Sequence, residues 1–362
     1  MPTILERLKT LAAIDAISGQ EAPLVAFLRD ALTPLCDEVA VDAVGNLYAI
    51  RRGAADGPTV MVAAHTDEIG MVVKSVDERG FIRFEKVGGV IDGTLAARLV
   101  RVAGHLGVIG MKAGHYQSVD ERARVLPHTR MYIDIGADSA ERVADLGIEI
   151  GDPITFVSDV VEFGHGAPLV AGKAIDDRLG CAVLWSVLEA GPPPAGTFLA
   201  AFTSQEEVGL KGAGVAGTRI APQLALALDT MPSGDTPDMD AGTDLNVSIG
   251  SGPALQVLAG AGGKGFLVNQ SVKRYLQSTA ARAGVPLQLT AFTGGNNDAA
   301  TIAWSGLGVP AASICLPRRY SHSPTEVADL RDADAAFRLL RAVVDDMDAL
   351  PTFSFLDEGA TR

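Results

Sequence analysis

Several features are scarce in this chain, and each scarcity narrows its chemistry. Cysteine occurs three times in 362 residues, as Cys36, Cys181 and Cys315. An odd count at wide spacing, with no Cys-x-x-Cys pair, predicts buried, reduced thiols in a cytoplasmic protein rather than disulfides. Lys and Arg number 30 against 44 Asp and Glu, for a formal charge of −14. That balance excludes a phosphate-backbone partner, because nucleic-acid affinity rests on clustered basic residues. No run approaches the ~20 apolar residues a membrane helix needs, so no membrane partner is expected. Glu6, Arg7 and Lys9 interrupt the apolar stretch that a secretory leader would require. A Gly-x-Ser-x-Gly elbow is absent, which argues against a serine nucleophile.

Apolar residues are not scarce. At 48% they supply a packed core for one large domain or two ordinary ones. Residues 3–16 and 20–33 read as amphipathic helices, with Ser18 and Glu21 as a capping box for the second. Residues 38–50 read as a hairpin and 59–64 as a buried strand. Between about 70 and 165 the texture changes to short strand-like runs (70–76, 80–84, 99–102, 108–111, 131–135 and 153–157) with one helix, 139–146. Such spacing predicts a small β-barrel or sandwich. From Lys173 on, helices at 178–190, 267–283 and 332–349 alternate with strands at 197–202, 224–228, 286–291 and 309–315, the α/β pattern. The expected organisation is an α/β catalytic domain built from 1–68 and 167–362, interrupted by an inserted β domain over 69–166.

Four apolar runs end in residues suited to metals. Val60–Ala64 leads into His65-Thr66-Asp67, and Phe198–Phe202 into Gln205-Glu206-Glu207. Leu224–Leu228 stops at Asp229, while Ala311–Leu316 precedes His322. Ligands collect beyond the carboxyl ends of strands in open α/β sheets, so four such ends suggest one shared site. Ile175-Asp176-Asp177-Arg178 opens a helix, where one Asp is explained by capping and the helix dipole.

Two histidines with several carboxylates match what a two-metal hydrolase needs. Zinc takes imidazole nitrogen and carboxylate oxygen. Paired ions lie ~3.5–4 Å apart and need a bridging ligand, which a carboxylate can provide. The carboxylates balance the charge of two dications, limiting the cost of burial. Adjacent glutamates diverge, so one can ligate while the other serves as general base. Asp67, two residues after His65, can fix the imidazole tautomer.

The segments His65–Gly70, Lys173–Gly180, Gln205–Ala213 and Arg319–Pro324 resemble those of the TET-type aminopeptidases, metallopeptidase family 42. The resemblance implies a mixed-sheet α/β/α catalytic domain with a small barrel-like (PDZ-like) insert that mediates dimer contacts. It implies Asp176 as bridging carboxylate, His65 and Asp229 at one metal, and Glu207 and His322 at the other. Glu206 would be the general base, acting on a metal-bridging water, and Asp67 would support His65. Asp176 is preferred to Asp177 because relatives often read Asp-Asn-Arg there, leaving Asp177 structural. The implied cofactors are two divalent ions per subunit, zinc first, with cobalt or manganese as alternatives. The implied substrates are short peptides that lose their N-terminal residue, and the implied assembly is a homo-oligomer, a tetrahedral dodecamer. Thr293–Ala300 departs from the family pattern, as does the long acidic loop 231–240. Neither is expected to touch a proposed ligand, so both bear on side-chain preference.

Two rivals use the same ligands: a dinuclear deacylase or amidase acting on N-acylated amino acids, and an inactive metal-binding scaffold. An intact Glu206 argues against the scaffold. His105, His115, His128 and His165 read as surface or packing residues of the insert. Cys181 and Cys315 read as core. Gly260–Gly265 lacks the Ser or Thr that a phosphate loop places after its Lys.

Overall fold

The computed structural model describes residues 2–260 and 265–356; most of the Gly260–Gly265 segment lies outside them. Two helices come first, α1 (Ile4–Ala12) and α2 (Ala22–Leu32). They lead into the hairpin β1 (Glu38–Val41) and β2 (Leu47–Arg52), then β3 (Ala55–His65). Thr3 and Glu6 form the capping box of α1. The box expected at α2 is absent: Glu21 stands at its N-cap without a side-chain capping bond, and Pro23 pre-sets the first turn. The Ser18 hydroxyl donates to Asp67 Oδ2 at 2.6 Å instead, because the chain before α2 passes under the end of β3.

Strands β4 (Gly70–Val76), β5 (Ile82–Val87), β6 (Leu99–Val102), β7 (His105–Gly110), β8 (Tyr132–Asp134) and β9 (Pro153–Phe156) follow. The short helices α3 (Val119–Arg122) and α4 (Ala140–Asp145) interrupt them. The strands close into a barrel in the order β4-β5-β8-β7-β6-β9. Every second residue turns inward, so Val73, Phe84, Val100, Ile109, Ile133 and Ile154 form a core of their own.

The chain rejoins the main sheet through β10 (Val161–Glu162) and β11 (Leu169–Gly172). There follow α5 (Ile175–Glu189), β12 (Ala195–Thr203), α6 (Lys211–Ile220), β13 (Leu224–Pro232) and β14 (Ala254–Leu258). Last come α7 (Gln270–Arg282), β15 (Gln288–Ala291), α8 (Ala299–Ile302), β16 (Ala311–Arg319), β17 (Glu326–Asp329) and α9 (Leu330–Asp345). The 11-stranded sheet runs β1-β2-β12-β3-β13-β16-β17-β11-β10, with β14 also on β16 and β15 beyond it. Its centre is parallel: β12 on β3, β3 on β13, and β13 on β16. Strands covered on both faces read as continuous apolar runs, and Val60–Ala64 is accordingly buried throughout. Helix α5 packs on β3 and β13 with α1 and α9 beside it, while α6 and α8 pack together.

Parallel register brings the four chemical strand ends together. Thr203 pairs with His65, and Asp229 sits opposite Cys315 on β16. Helix α6 was not expected, since Gly212, Gly214 and Gly217 lower helix propensity. At Gly212 the glycine is required: an added Cβ would lie 2.3 Å from Asn46 Oδ1 and 2.5 Å from the Ser204 carbonyl oxygen.

Candidate metal centre

The site lies where the sheet's parallel strands end. His65, at the end of β3, is 2% exposed and turns its two nitrogens to different tasks. Nδ1 lies 3.0 Å from the Asp67 carbonyl oxygen, while Nε2 faces Asp176 Oδ1 at 3.1 Å and Asp229 Oδ1 at 3.7 Å. His322 follows β16 in a left-handed backbone conformation, φ 56°. Its Nε2 lies 3.5 Å from both Asp176 Oδ2 and Glu207 Oε2. The two oxygens of Asp176 thus face two different histidines.

Local conformation produces this. Residues Asp176 and Asp177 sit at the start of α5 with non-helical backbone angles, so their carboxylates leave the helix in different directions. Asp177 Oδ1 accepts from the Gly180 amide at 3.1 Å, the capping role expected of an Asp there. Its Oδ2 is buried without a partner, and with His65 and Asp229 it offers ligand atoms within 4.8 Å of one another. A second such group is His65, Asp176 and Glu207. Asp177 therefore borders the site as well as capping the helix, which the sequence did not indicate. Glu206 belongs to neither group, and lines a cavity of about 470 Å³ with Asp176, Glu207, Asp229 and His322.

Two carboxylates outside these groups hold the backbone of the others. Asp67, fully buried, accepts the amides of Glu206 on Oδ1 at 3.0 Å and of Glu207 on Oδ2 at 3.1 Å. Glu326 accepts the Asp176 amide on Oε2 and the His322 amide on Oε1, each at 3.0 Å. Arg318, buried between them, donates to Asp176 Oδ2, to Glu326 Oε1 and, from Nε, to Thr230 Oγ1. Sequence reasoning missed Glu326 and Arg318. The spacing His322-x-x-x-Glu326 was the available signal for one; for Arg318 there was none.

Charge is crowded here. Burial, reinforced by Asp176, raises Glu207 to about 8, and burial with the charges of Asp229, Asp298 and Glu207 raises Glu206 well above the usual range. Burial and neighbouring carboxylates likewise raise Asp229 and Asp177. Asp176 goes the other way: burial is outweighed by Arg318, His322 and His65. Burial opposes the His322 imidazolium, yet Asp176 and Glu207 prevail and lift it to about 9. Glu207 Oε1 and Asp177 Oδ2 are buried without hydrogen-bond partners. Orphaned carboxylate oxygens among mutually repelling carboxylates fit a cationic occupant, and imidazole with carboxylate is a donor set for divalent metals.

The departing segment reaches further than expected. Asn296 and Asn297 line the cavity with Gln256 and Phe292. Asp298 is buried, accepts from the Thr203 hydroxyl, and bears electrostatically on Glu206. Burial, with Asp229 and Asp67 reinforcing it, raises Asp298 to about 7. The barrel also contributes: a Cβ at Gly89 would lie 2.2 Å from His322 Nδ1, so only glycine fits there. Among the set-aside residues, His128 is partly buried between Glu85 and Asp92, and His115 and His165 are exposed. Cys181 and Cys315 are core residues.

Comparison with known proteins identifies relatives of the whole chain. The sequence model described as M42 glutamyl aminopeptidase matches residues 45–339. A protein from Acetivibrio thermocellus is 36% identical over 337 residues, covering 93% of this chain and 97% of that one. An aminopeptidase structure from the archaeon Desulfurococcus kamchatkensis superposes with a TM-score of 0.90 at 34% identity, over 99% of this chain and 98% of the other. The TET1 peptidase of Pyrococcus horikoshii, which can assemble into a tetrahedron or a large octahedral shell, gives 0.83 at 28% identity, over 95% and 100%.

Proposed function

The chain belongs to the M42 aminopeptidase family, hydrolases of peptide bonds, and from that premise we propose a dinuclear enzyme that removes the N-terminal residue of short peptides. His65 and Asp229 would hold one divalent ion, Glu207 and His322 the other, with Asp176 shared between them. The observation that carries this reading is Asp176, whose Oδ1 faces His65 and whose Oδ2 faces His322. Zinc suits the ligands, and cobalt or manganese is compatible with them. When bound, such ions supply Lewis acidity to the scissile carbonyl and lower the pKa of water.

The remaining chemistry falls to the chain. Glu206, in the cavity wall and outside both ligand groups, takes the proton of the attacking water and returns it to the leaving amine. Burial, with Asp229, Asp298 and Glu207 nearby, raises its proton affinity, the direction that favours taking up a proton. Asp67 orients His65 and fixes the backbone from which both glutamates project. Phe292, Gln256, Asn296 and Asn297 form the cavity wall available to the substrate's side chain. Residues 1–68 and 167–362 act as the catalytic unit in this reading, and 69–166 as an insert; separate apolar cores support a division, although Val160 packs in the main core and Val161–Glu162 already pair with the main sheet. The insert would mediate contacts in a homo-oligomer, a dodecamer if it follows its tetrahedral relative.

The test is Glu206→Gln, assayed on aminoacyl-nitroanilides beside N-acetyl amino acids, with metal content measured by elemental analysis. Metal should be retained while kcat falls by about 10²–10⁴, the usual contribution of a general base. Wild-type turnover in that variant overturns the assignment of Glu206. Cleavage confined to the N-acetyl compounds overturns the aminopeptidase reading.

A further inference from the structure

The Ser18–Glu21 turn has the sequence of a helix cap and does not cap a helix. Both side chains are spent on the active site. The Ser18 hydroxyl donates to Asp67 Oδ2 at 2.6 Å, and Glu21 Oε1 accepts the Gly19 amide at 2.9 Å and the Gln205 amide at 3.0 Å. Glu21 is 5% exposed.

The bond to Gln205 completes a series. Four successive amides leaving β12 are each taken by a side chain from elsewhere: Ser204 by Asn46, Gln205 by Glu21, and Glu206 and Glu207 by the two oxygens of Asp67. Within this series Gln205 has φ 55°, a left-handed conformation that costs a non-glycine residue energy and persists only where its surroundings impose it. That residue turns the chain out of the strand immediately before the glutamates. Its conformation therefore sets the direction in which Glu206 leaves the backbone.

We propose that Glu21 and Ser18 are positioning residues of the active site, which hold the Gln205 turn and the Asp67 carboxylate so that Glu206 points into the cavity. The inference rests on Glu206 being the general base. What Glu21 supplies is an acceptor oxygen for an amide, which a glutamine carries equally well. Burial raises the Glu21 carboxyl above its ordinary range, consistent with a role that needs no charge.

The experiment compares Glu21→Ala, Glu21→Gln and Ser18→Ala in the metal-loaded enzyme, measuring kcat and KM on an aminoacyl-nitroanilide, metal content and thermal unfolding. An ångström of misplacement costs a reacting group up to about 10²-fold, so Glu21→Ala should lower kcat by roughly 10–100-fold. KM should stay within about twofold and metal content unchanged, because the ligand side chains remain. Glu21→Gln should restore kcat to within about threefold of wild type, and Ser18→Ala should fall between them. Wild-type kcat in Glu21→Ala overturns the proposal. So does a loss that tracks missing metal, or a Glu21→Gln variant as slow as Glu21→Ala. If Glu21→Ala does not fold, the Glu21→Gln and Ser18→Ala values decide: slow Glu21→Gln or undiminished Ser18→Ala overturns it. Glu206→Gln in the same assay separates the two readings. A slow Glu206→Gln beside a fast Glu21→Ala removes only this inference, whereas a fast Glu206→Gln removes the base assignment beneath it.

Discussion

Asp67→Asn isolates what one buried carboxylate does for the site. Three donors converge on the Asp67 carboxylate: the Glu206 amide at 3.0 Å, the Glu207 amide at 3.1 Å and the Ser18 hydroxyl at 2.6 Å, while His65 Nδ1 meets the Asp67 backbone carbonyl at 3.0 Å. The carboxylate offers an acceptor on both sides, whereas an amide offers one oxygen and one NH₂. With the oxygen at the Oδ2 position, the Glu206 amide meets an NH₂; with the oxygen at Oδ1, the Glu207 amide does. Either rotamer strands one buried backbone donor, at about 1–3 kcal/mol, and loses a charge-assisted bond worth about 1.5–3 kcal/mol. The fold should therefore weaken by a few kcal/mol. The disturbance falls on the glutamates, because their amides are the groups set free. His65 keeps its contact with the residue 67 backbone carbonyl, so lost metal affinity comes through Glu207, whose amide is freed; loss of such a supporting group typically costs about 10–100-fold. Titration with zinc, followed by elemental analysis after dialysis at fixed free metal, measures this directly; kcat at saturating metal should still be well below wild type. Wild-type affinity together with wild-type turnover would refute the argument that Asp67 organises both glutamates.

Two further outcomes follow from the same geometry. His322→Ala should lose one of two bound ions and retain the other, because His65, Asp176, Asp177 and Asp229 are left in place; elemental analysis showing full loading contradicts the assignment of His322. Away from the site, burial raises Asp332 from 3.8 to about 6, against hydrogen bonds from the Gly250 and Gly252 amides. A carboxyl whose proton is held more tightly in the fold stabilises it below the ordinary value, and that contribution is lost as pH rises through about 6. The rise corresponds to on the order of 3 kcal/mol. Wild type should thus lose about that much stability relative to Asp332→Asn between about pH 4 and about pH 7; a pH-independent difference in urea unfolding contradicts it.

The fold was legible where a pattern is local. The apolar run Val60–Ala64 and the alternation of the barrel strands are consequences of two-sided and one-sided burial, so residue type alone reveals them. Helix α6 was hidden because its glycines serve contacts with Asn46 and Ser204, residues that only the sheet brings near. Helix α5 is regular from Arg178, where the pattern places it, and the hidden part is its opening turn. Its first residues leave helical geometry to aim two carboxylates into the site, a requirement invisible to periodicity.

The site divides along the same line. Imidazole and carboxylate side chains at strand ends announce metal chemistry by their identity, and parallel register then brings them together. Residues that hold backbone amides announce nothing, since any Asp, Glu or Asn can accept a bond and the donor is present at nearly every residue. Glu326 reaches the Asp176 amide across 150 residues, and Glu21 reaches the Gln205 amide across 184. At Ser18 and Glu21 a local pattern even pointed elsewhere, because the spacing that caps a helix also describes a turn with one free hydroxyl donor and one free carboxylate acceptor. The sequence therefore exposes the groups that touch the chemistry and conceals those that aim them. Ranking a site by residue type alone would place Asp67 and Glu21 below Glu207, although Asp67 holds the Glu207 amide and Glu21 holds the turn at Gln205 from which Glu206 leaves.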